Sequence, residues 1–590
     1  MTRFPRLILP ILLTLLVGGL AVWLVDDFSG PLSDGGDTDF YEYVGYYVAH
    51  NLTFWPVPHL NLLHNQTFYP YGANHTLLDW GWERDYWYAL CYWLIGKGEP
   101  GPYLQYYYVY SLLITALGAF GLLRGIVSDG RAWVAALIVS VFNFYCIWKY
   151  PTHLNVCVLH WTTLCILATY RLLYECATGP TRNRPLPALP WWLLWVWLHV
   201  QVLSQELGYV AGFALTFTVI CAPFLGWCLW QHRSVVPALF RPEPGHKPYV
   251  WLLLGLIGVS TWLYVPPTIQ IFLGAQAYAD SSVGMPPSWS HPLRLLIPYL
   301  PGVDEFAIRY DRIFWDTYES YGQTRPGLYL VILAVVGFWG IRRKPLLWGP
   351  VVFMLALCVV YHPVLLPTLK VFPWFSFNRH GGRASMVYPV LFGLLALWVP
   401  RPQTRSGWLA LAPVLLLMLA EWSWGYRYPH LYKPQIVSAS VQAYMQTVRD
   451  APGEAVLDFP FCTIGADGVG AAEGLCPYYR EQNAVFTFRR FHQKKVVGQY
   501  WGRLLPTYIQ PFLRDHWDRL LRPGYVFTPA DWQFLDQFLQ QHRFAGINLY
   551  PDLLSAEQRA AFYAHYGLPR AETRLPMAGR VQLLRVDHQP

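Results

Sequence analysis

The sequence predicts a polytopic α-helical membrane protein of about eleven transmembrane helices with a C-terminal extracytoplasmic α/β domain, and three observations carry this. Of the 590 residues, 54% are hydrophobic and only 13% charged, far from soluble usage. Aromatic residues reach 17%, with 29 Trp and 41 Tyr, which suits a chain with many membrane–water interfaces. The formal charge of +8 is spread in short basic runs between apolar segments. That pattern is a topology signal and excludes a nucleic-acid-binding face.

A crossing needs about 20 apolar residues. Segments that qualify are 7–25, 104–123, 132–149, 154–174, 190–204, 207–230, 249–273, 326–341, 345–361, 383–399 and 407–421. The first follows Arg3 and Arg6 and has no small-residue cleavage site before Asp26 and Asp27, so it reads as an uncleaved span. The weakest is 190–204, short enough to be re-entrant. With a cytoplasmic N-terminus, every second loop is cytoplasmic, and those loops carry Arg124 and Arg131, Arg171 with Arg182 and Arg184, Arg233 with Arg241 and Lys247, Arg342 to Lys344, and Arg401 with Arg405. Removing one span would invert every later loop and spoil this positive-inside agreement.

The outer side then holds long loops at 26–103 and 274–325, a shorter one at 362–382, and the tail. We therefore expect a transmembrane domain over 1–421 and an extracytoplasmic α/β domain over 422–590. In the tail, Ala455 to Phe459 reads as a strand, 529–543 and 555–566 as amphipathic helices, and Arg580 to Val586 as a closing strand. In the first loop, Trp80 to Trp93 reads as an interfacial helix. Most of the ten Cys lie in apolar stretches as small buried hydrophobes; Cys462 and Cys476 are candidates to pair in an oxidising compartment, which sequence alone does not establish.

Chemistry-bearing residues gather on the outer side. Directly after the first span come Asp26 and Asp27, then Ser33-Asp34-Gly35-Gly36-Asp37-Thr38-Asp39. A carboxylate at that depth can take a proton from a substrate held in the lipid or ligate a metal, and Asp37 and Asp39 are the best candidates for either role. The structural alternative is a solvated turn, for which Asp and Gly are ordinary residues. Asp79, Glu83, Arg84 and Asp85 form a second group among tryptophans, either an interfacial salt-bridge cluster or, with Glu206, a support for the acceptor side of a site. Arg379, His380 and Arg383 open a late span from the outside, against the usual charge bias, and planar guanidinium groups suit a lipid phosphate; plain headgroup anchoring is the alternative. Asp304, Glu305, Arg309, Asp311 and Arg312 in the second long loop read as a solvated face, with acceptor contact as the sharper alternative. Lone histidines at 153, 160 and 199 read as packed, hydrogen-bonded groups. No motif of a hydrolase, ATPase or oxidoreductase is present.

Gly36-Asp37-Thr38-Asp39, Phe68-Tyr69-Pro70-Tyr71-Gly72-Ala73-Asn74, Arg379 to Arg383, Val456-Leu457-Asp458-Phe459-Pro460 and Lys495-Val496-Val497-Gly498-Gln499-Tyr500 together resemble the GT-C superfamily of multi-spanning glycosyltransferases, in particular bacterial members with an exported C-terminal domain. The resemblance implies inverting transfer of a sugar from a polyprenyl-phosphate donor to an extracytoplasmic acceptor, with the first-loop acid near the reacting centre. Both Asp26-Asp27 and Asp37-x-Asp39 match the family's acidic motif; the second lies deeper in the loop and is preferred. Some members use a divalent metal such as Mg or Mn and others none, so Asp37 and Asp39 are also the candidate ligands. The implied setting is a bacterial inner membrane with the tail in the periplasm or outside the cell, or an endoplasmic reticulum with a lumenal tail. A catalytically inactive scaffold subunit is the alternative function, since the fold also occurs without activity. A transporter is disfavoured because the spans show no paired halves with interrupted helices.

Overall fold

The computed structural model describes residues 5–178, 186–206, 210–234, 236, 244–281, 292–300, 325–359, 369–375, 381–427 and 435–586. Among these, seven helices are long and apolar enough to cross a membrane: Ile8–Val25, Tyr103–Leu123, Asp129–Lys149, Leu154–Thr178, Gly212–Gln231, Lys247–Tyr278 and Arg405–Gly425. Leu328–Ile341, Pro345–Val359 and Arg383–Ala396 are apolar but shorter. The segment read as the weakest span is a helix over Leu189–Val202 of 14 residues, roughly 21 Å at 1.5 Å per residue and so less than a hydrocarbon thickness. The protein is thus helical and integral to a membrane.

The chain divides into two compact units. The first comprises Met1–Asp26, Tyr106–Val265 and Gly284–Lys433. At its centre the helix His160–Thr178 packs against Gly212–Gln231 and Leu189–Val202, and Leu328–Ile341 packs against Tyr388–Ala396. The helix at 154–178 is almost wholly enclosed, whereas Arg405–Gly425 is almost bare and shows Trp408, Leu409, Leu416 and Leu419 to the outside. An apolar surface of that extent is stable only against lipid or a partner.

The second unit comprises Asp27–Gln105, Pro266–Val283 and Pro434–Pro590, so the first long loop folds with the tail rather than with the helical domain in which the sequence reading had placed it. Its first loop contributes α1 (Asp37–Asn51) and α2 (Trp82–Leu94), which pack on each other. The tail contributes α3 (Ala439–Asp450), β1 (Ala455–Phe459), β2 (Lys495–Val496), α4 (Pro529–Gln541), β3 (Phe544–Leu549), α5 (Ala556–Tyr566), β4 (Ala571–Leu575) and β5 (Gly579–Arg585). The sheet order is β4-β5-β3-β1-β2, parallel at β3-β1 and β1-β2 and antiparallel elsewhere. Every residue of β1 and β3 is buried, as strands covered on both faces require, and their polar members are paired, the Asn548 side-chain amide donating to Asp458 at 3.0 Å. Capping boxes start α4, with Thr528 and Asp531, and α5, with Ser555 and Gln558.

The first loop is built into this core. Phe68 is fully buried, with its ring edge-on to Trp501 and Phe512, and Tyr69 meets Phe544. The Tyr69 amide donates to the Val496 carbonyl at 3.0 Å and the Val496 amide to the Gln66 carbonyl at 3.0 Å, which satisfies the edge of β2. Leu32–Ser33 pairs antiparallel with Gln435–Ile436. Cys462 and Cys476 form a disulfide beside Ile464 and Tyr500.

Candidate active-site loop

The acidic segment after the first helix is a braced turn feeding α1. Gly36 precedes the helix, and Asp37 and Asp39 stand in its first turn, where carboxylates are favoured by the helix dipole. Asp34 holds the turn: Oδ1 accepts from the Gly36 amide at 2.8 Å and Oδ2 from the Thr38 hydroxyl at 2.6 Å. Burial, with Asp39 nearby as the lesser cause, pushes the Asp34 carboxyl above its ordinary range.

Asp39 is completely buried, and both its oxygens are engaged. Oδ2 accepts from the Ser33 hydroxyl at 2.8 Å and from the amides of Asp34 at 3.1 Å and Gly35 at 2.8 Å, while Oδ1 meets Arg490 Nη2 at 2.5 Å in an ion pair with no exposed surface on either side. Arg490 also donates to the carbonyls of Leu32 and Thr487. Asp39 therefore ties the turn to the short helix Arg489–His492 of the tail, and its carboxylate is not presented to a substrate or a metal. Asp37 is exposed. The three acids differ: Asp34 and Asp39 shape the turn, and Asp37 is exposed in the first turn of α1.

Gly35 completes the turn with φ +72°, and a Cβ there would lie 2.6 Å from Cγ of Met577 in the β4–β5 turn and 3.0 Å from the Pro576 carbonyl oxygen. Backbone strain and this crowding act together. We expect Gly35→Ala to cost about 1–3 kcal/mol, seen as a lower unfolding midpoint of the purified protein.

Behind Asp39 lies Glu42, fully buried, whose carboxyl is pushed up to about 8 from an ordinary value near 4.5. Burial dominates; Arg490 opposes it, Asp39 adds to it, and Tyr88 stands against the group. The folded chain thus holds a proton that the unfolded chain releases above about pH 4.5. This contribution to stability is complete below that value and is lost as pH rises toward 8. We expect chemical unfolding measured from pH 5 to 8 to show this decline, and Glu42→Gln to flatten it.

The other residues singled out from the sequence are placed as follows. Asp85 is buried and ion-paired with Arg84 at 2.7 Å, and it accepts from the Gly81 amide at 2.9 Å. Arg84 also donates to the Asp79 carbonyl at 2.6 Å and lies 4.8 Å over the Tyr41 ring. Arg84 and Asp85 thus form an ion pair in the first turn of α2, and Glu83 and Asp79 are half-buried. In the other unit, Glu206 is held by the Asn155 side-chain amide. Arg383 is buried in the short helix Gly381–Val387 that leads into Tyr388–Ala396. Arg379 and His380 lie outside the described residues, as do Asp304, Glu305, Arg309, Asp311 and Arg312. His160 bonds Ser111, and His199 bonds Trp195 and Thr218, as packed histidines do.

Sequence reasoning missed the basic half of the brace. Phe488-Arg489-Arg490-Phe491 puts two arginines between apolar rings, and buried arginines demand acidic partners, which was the available signal. It also missed Glu421, fully buried in the helix Arg405–Gly425, which accepts from the amides of Tyr299, Leu328 and Tyr329 and so caps the helix Leu328–Ile341. Among the described residues no three His, Cys, Asp or Glu side chains gather as a metal site. With Asp39 engaged by four donors, the Asp37 and Asp39 pair does not fit a metal in this structure.

No family model matches the chain, and no curated protein matches it. Among solved structures the chain is similar to the oligosaccharyltransferase of Archaeoglobus fulgidus. The complex of that protein with Zn and sulfate is 12% identical, with a TM-score of 0.44, over 97% of this chain and 73% of the other. The form tethered to an acceptor peptide containing the NVT sequon is 10% identical, with a TM-score of 0.47, over 98% and 74%. The same archaeal enzyme, AglB, in complex with an inhibitory peptide and a dolichol-phosphate is 11% identical, with a TM-score of 0.43, over 99% and 75%.

Proposed function

We propose that the protein is a GT-C-type membrane glycosyltransferase that crosses the bilayer about eleven times and moves a sugar from a polyprenyl-phosphate donor to an extracytoplasmic glycan, lipid or protein. The observation that carries this reading is the braced turn at 33–39: an elaborate set of buried contacts is spent on holding one exposed carboxylate, Asp37, just after an apolar helix. Support for an outer tail comes from the Cys462–Cys476 disulfide, which belongs to an oxidising compartment, and from the basic runs of the alternate loops.

In this reading Asp37 takes the proton from the acceptor hydroxyl as the new bond to the anomeric carbon forms and the bond from that carbon to the phosphate oxygen breaks. The polyprenyl phosphate leaves as an anion, and Arg383, Arg379 and His380 are the proposed groups that steady it. Asp39 is a positioning residue that acts through the turn. The test is direct: purified protein in proteoliposomes is given radiolabelled polyprenyl-phosphate sugars and a membrane extract as acceptor. Transfer of label to an extractable product supports the reading, and its absence for every donor and acceptor tried overturns it. The Asp39–Arg490 pair favours a second reading, an inactive scaffold in which the acidic motif serves only to join loop and tail.

A further inference from the structure

A shallow groove of about 460 Å³ runs along α4 in the tail, lined by Trp532, Gln533, Asp536, Gln537, Gln540 and His565 among others. Its volume falls within the range of small-ligand clefts, about 300–1,000 Å³. One wall is aromatic and rigid: the rings of Trp532 and His565 stack with centroids 4.4 Å apart and planes 18° apart, with Phe562 edge-on to Trp532 at 5.1 Å. Asp536 locks this pair, since its oxygens lie 2.9 and 3.1 Å from His565 Nε2 and one accepts from the Tyr566 hydroxyl at 2.8 Å. The other wall is amide. Gln533, Gln537 and Gln540 sit at i, i+4 and i+7 on α4, all exposed, with no side-chain partner among the described residues.

We propose that this groove binds a neutral oligosaccharide. A pyranose has an apolar C–H face that packs on an aromatic platform and a rim of hydroxyls that both donate and accept, which is what planar amides match. α4 carries no Lys or Arg, so phosphorylated or acidic chains find no counter-charge there. The open shape suits a chain passing along the surface rather than an enclosed metabolite. Binding is a property of the tail and does not depend on turnover; the further statement that the bound chain is the transferase acceptor rests on the function proposed above.

The experiment uses the full-length protein in lipid nanodiscs on an array of neutral hexose and N-acetylhexosamine di- to tetrasaccharides, with acidic oligosaccharides and peptides on the same array, and titrates the best ligand by calorimetry. The expected result is binding confined to neutral glycans and weakened about tenfold by Gln533→Ala with Gln537→Ala, the loss of two hydrogen-bonding amides, at an unchanged unfolding midpoint. Trp532→Phe, which keeps a ring in the core, weakens binding as well. Absence of neutral-glycan binding, preference for acidic glycans or peptides, or equal affinity in the double variant overturns the proposal. Sugar transfer assayed on the same preparations separates the two ideas: binding without transfer leaves this groove standing and removes the transferase.

Discussion

Asp37→Asn is expected to abolish sugar transfer while the protein remains as abundant and as heat-resistant as the parent. The substitution keeps shape and hydrogen-bonding capacity but removes the basic lone pair, and loss of a positioned general base lowers kcat by about 10²–10⁴-fold. Its structural cost is small because the residue is exposed in the first turn of α1, where a carboxylate contributes only about 0.3–1 kcal/mol through the helix dipole. Initial rates with saturating donor, measured beside unfolding midpoints, separate the two effects. An undiminished rate would remove Asp37 from the chemistry and leave the scaffold reading.

Asp39→Asn, two residues on, is expected to behave in the opposite way. Its carboxylate is one half of an ion pair in which neither partner has exposed surface, so neutralising it strands Arg490 in a low-dielectric interior. Breaking such a pair costs about 3–5 kcal/mol, a large part of a typical stability margin. The reading is a large fall in monodisperse protein by size-exclusion chromatography and in the unfolding midpoint. Combining Asp39→Asn with Arg490→Met removes the stranded charge and should recover part of the loss. A variant with parental stability would show that the pair does not hold the turn.

The contrast between these two residues explains where the sequence was readable and where it was not. β1 was visible as Ala455 to Phe459 because a buried strand is a short, mostly apolar run, and α4 and α5 were visible because they are amphipathic. α1 was not visible. Its sequence, rich in Tyr and buried on nearly all sides, has no apolar stripe to set a period. Read as a loop, Asp37-x-Asp39 looks like a pair of carboxylates facing one ligand. On a helix, residues two apart project about 200° apart, so one enters the core as the other meets solvent. The partner that decides which is buried, Arg490, lies 451 positions away, and nothing local in either segment points to the other. The chain's helical, membrane-embedded character was legible from composition because it depends on sums over the sequence, whereas the site depends on one long-range contact.

That separation bears on how the molecule is made. A ribosome adding about 5–20 residues per second delivers Arg490 roughly 20–90 s after Asp39. During that interval the acidic turn is without its counter-ion, and the aromatic Phe68-Tyr69 segment waits for the tail strands that will cover it. Completion of the last part of the chain is therefore the event that arms the first loop, and among the described residues the last helix long enough to cross a membrane, Arg405–Gly425, is made before Arg490 arrives.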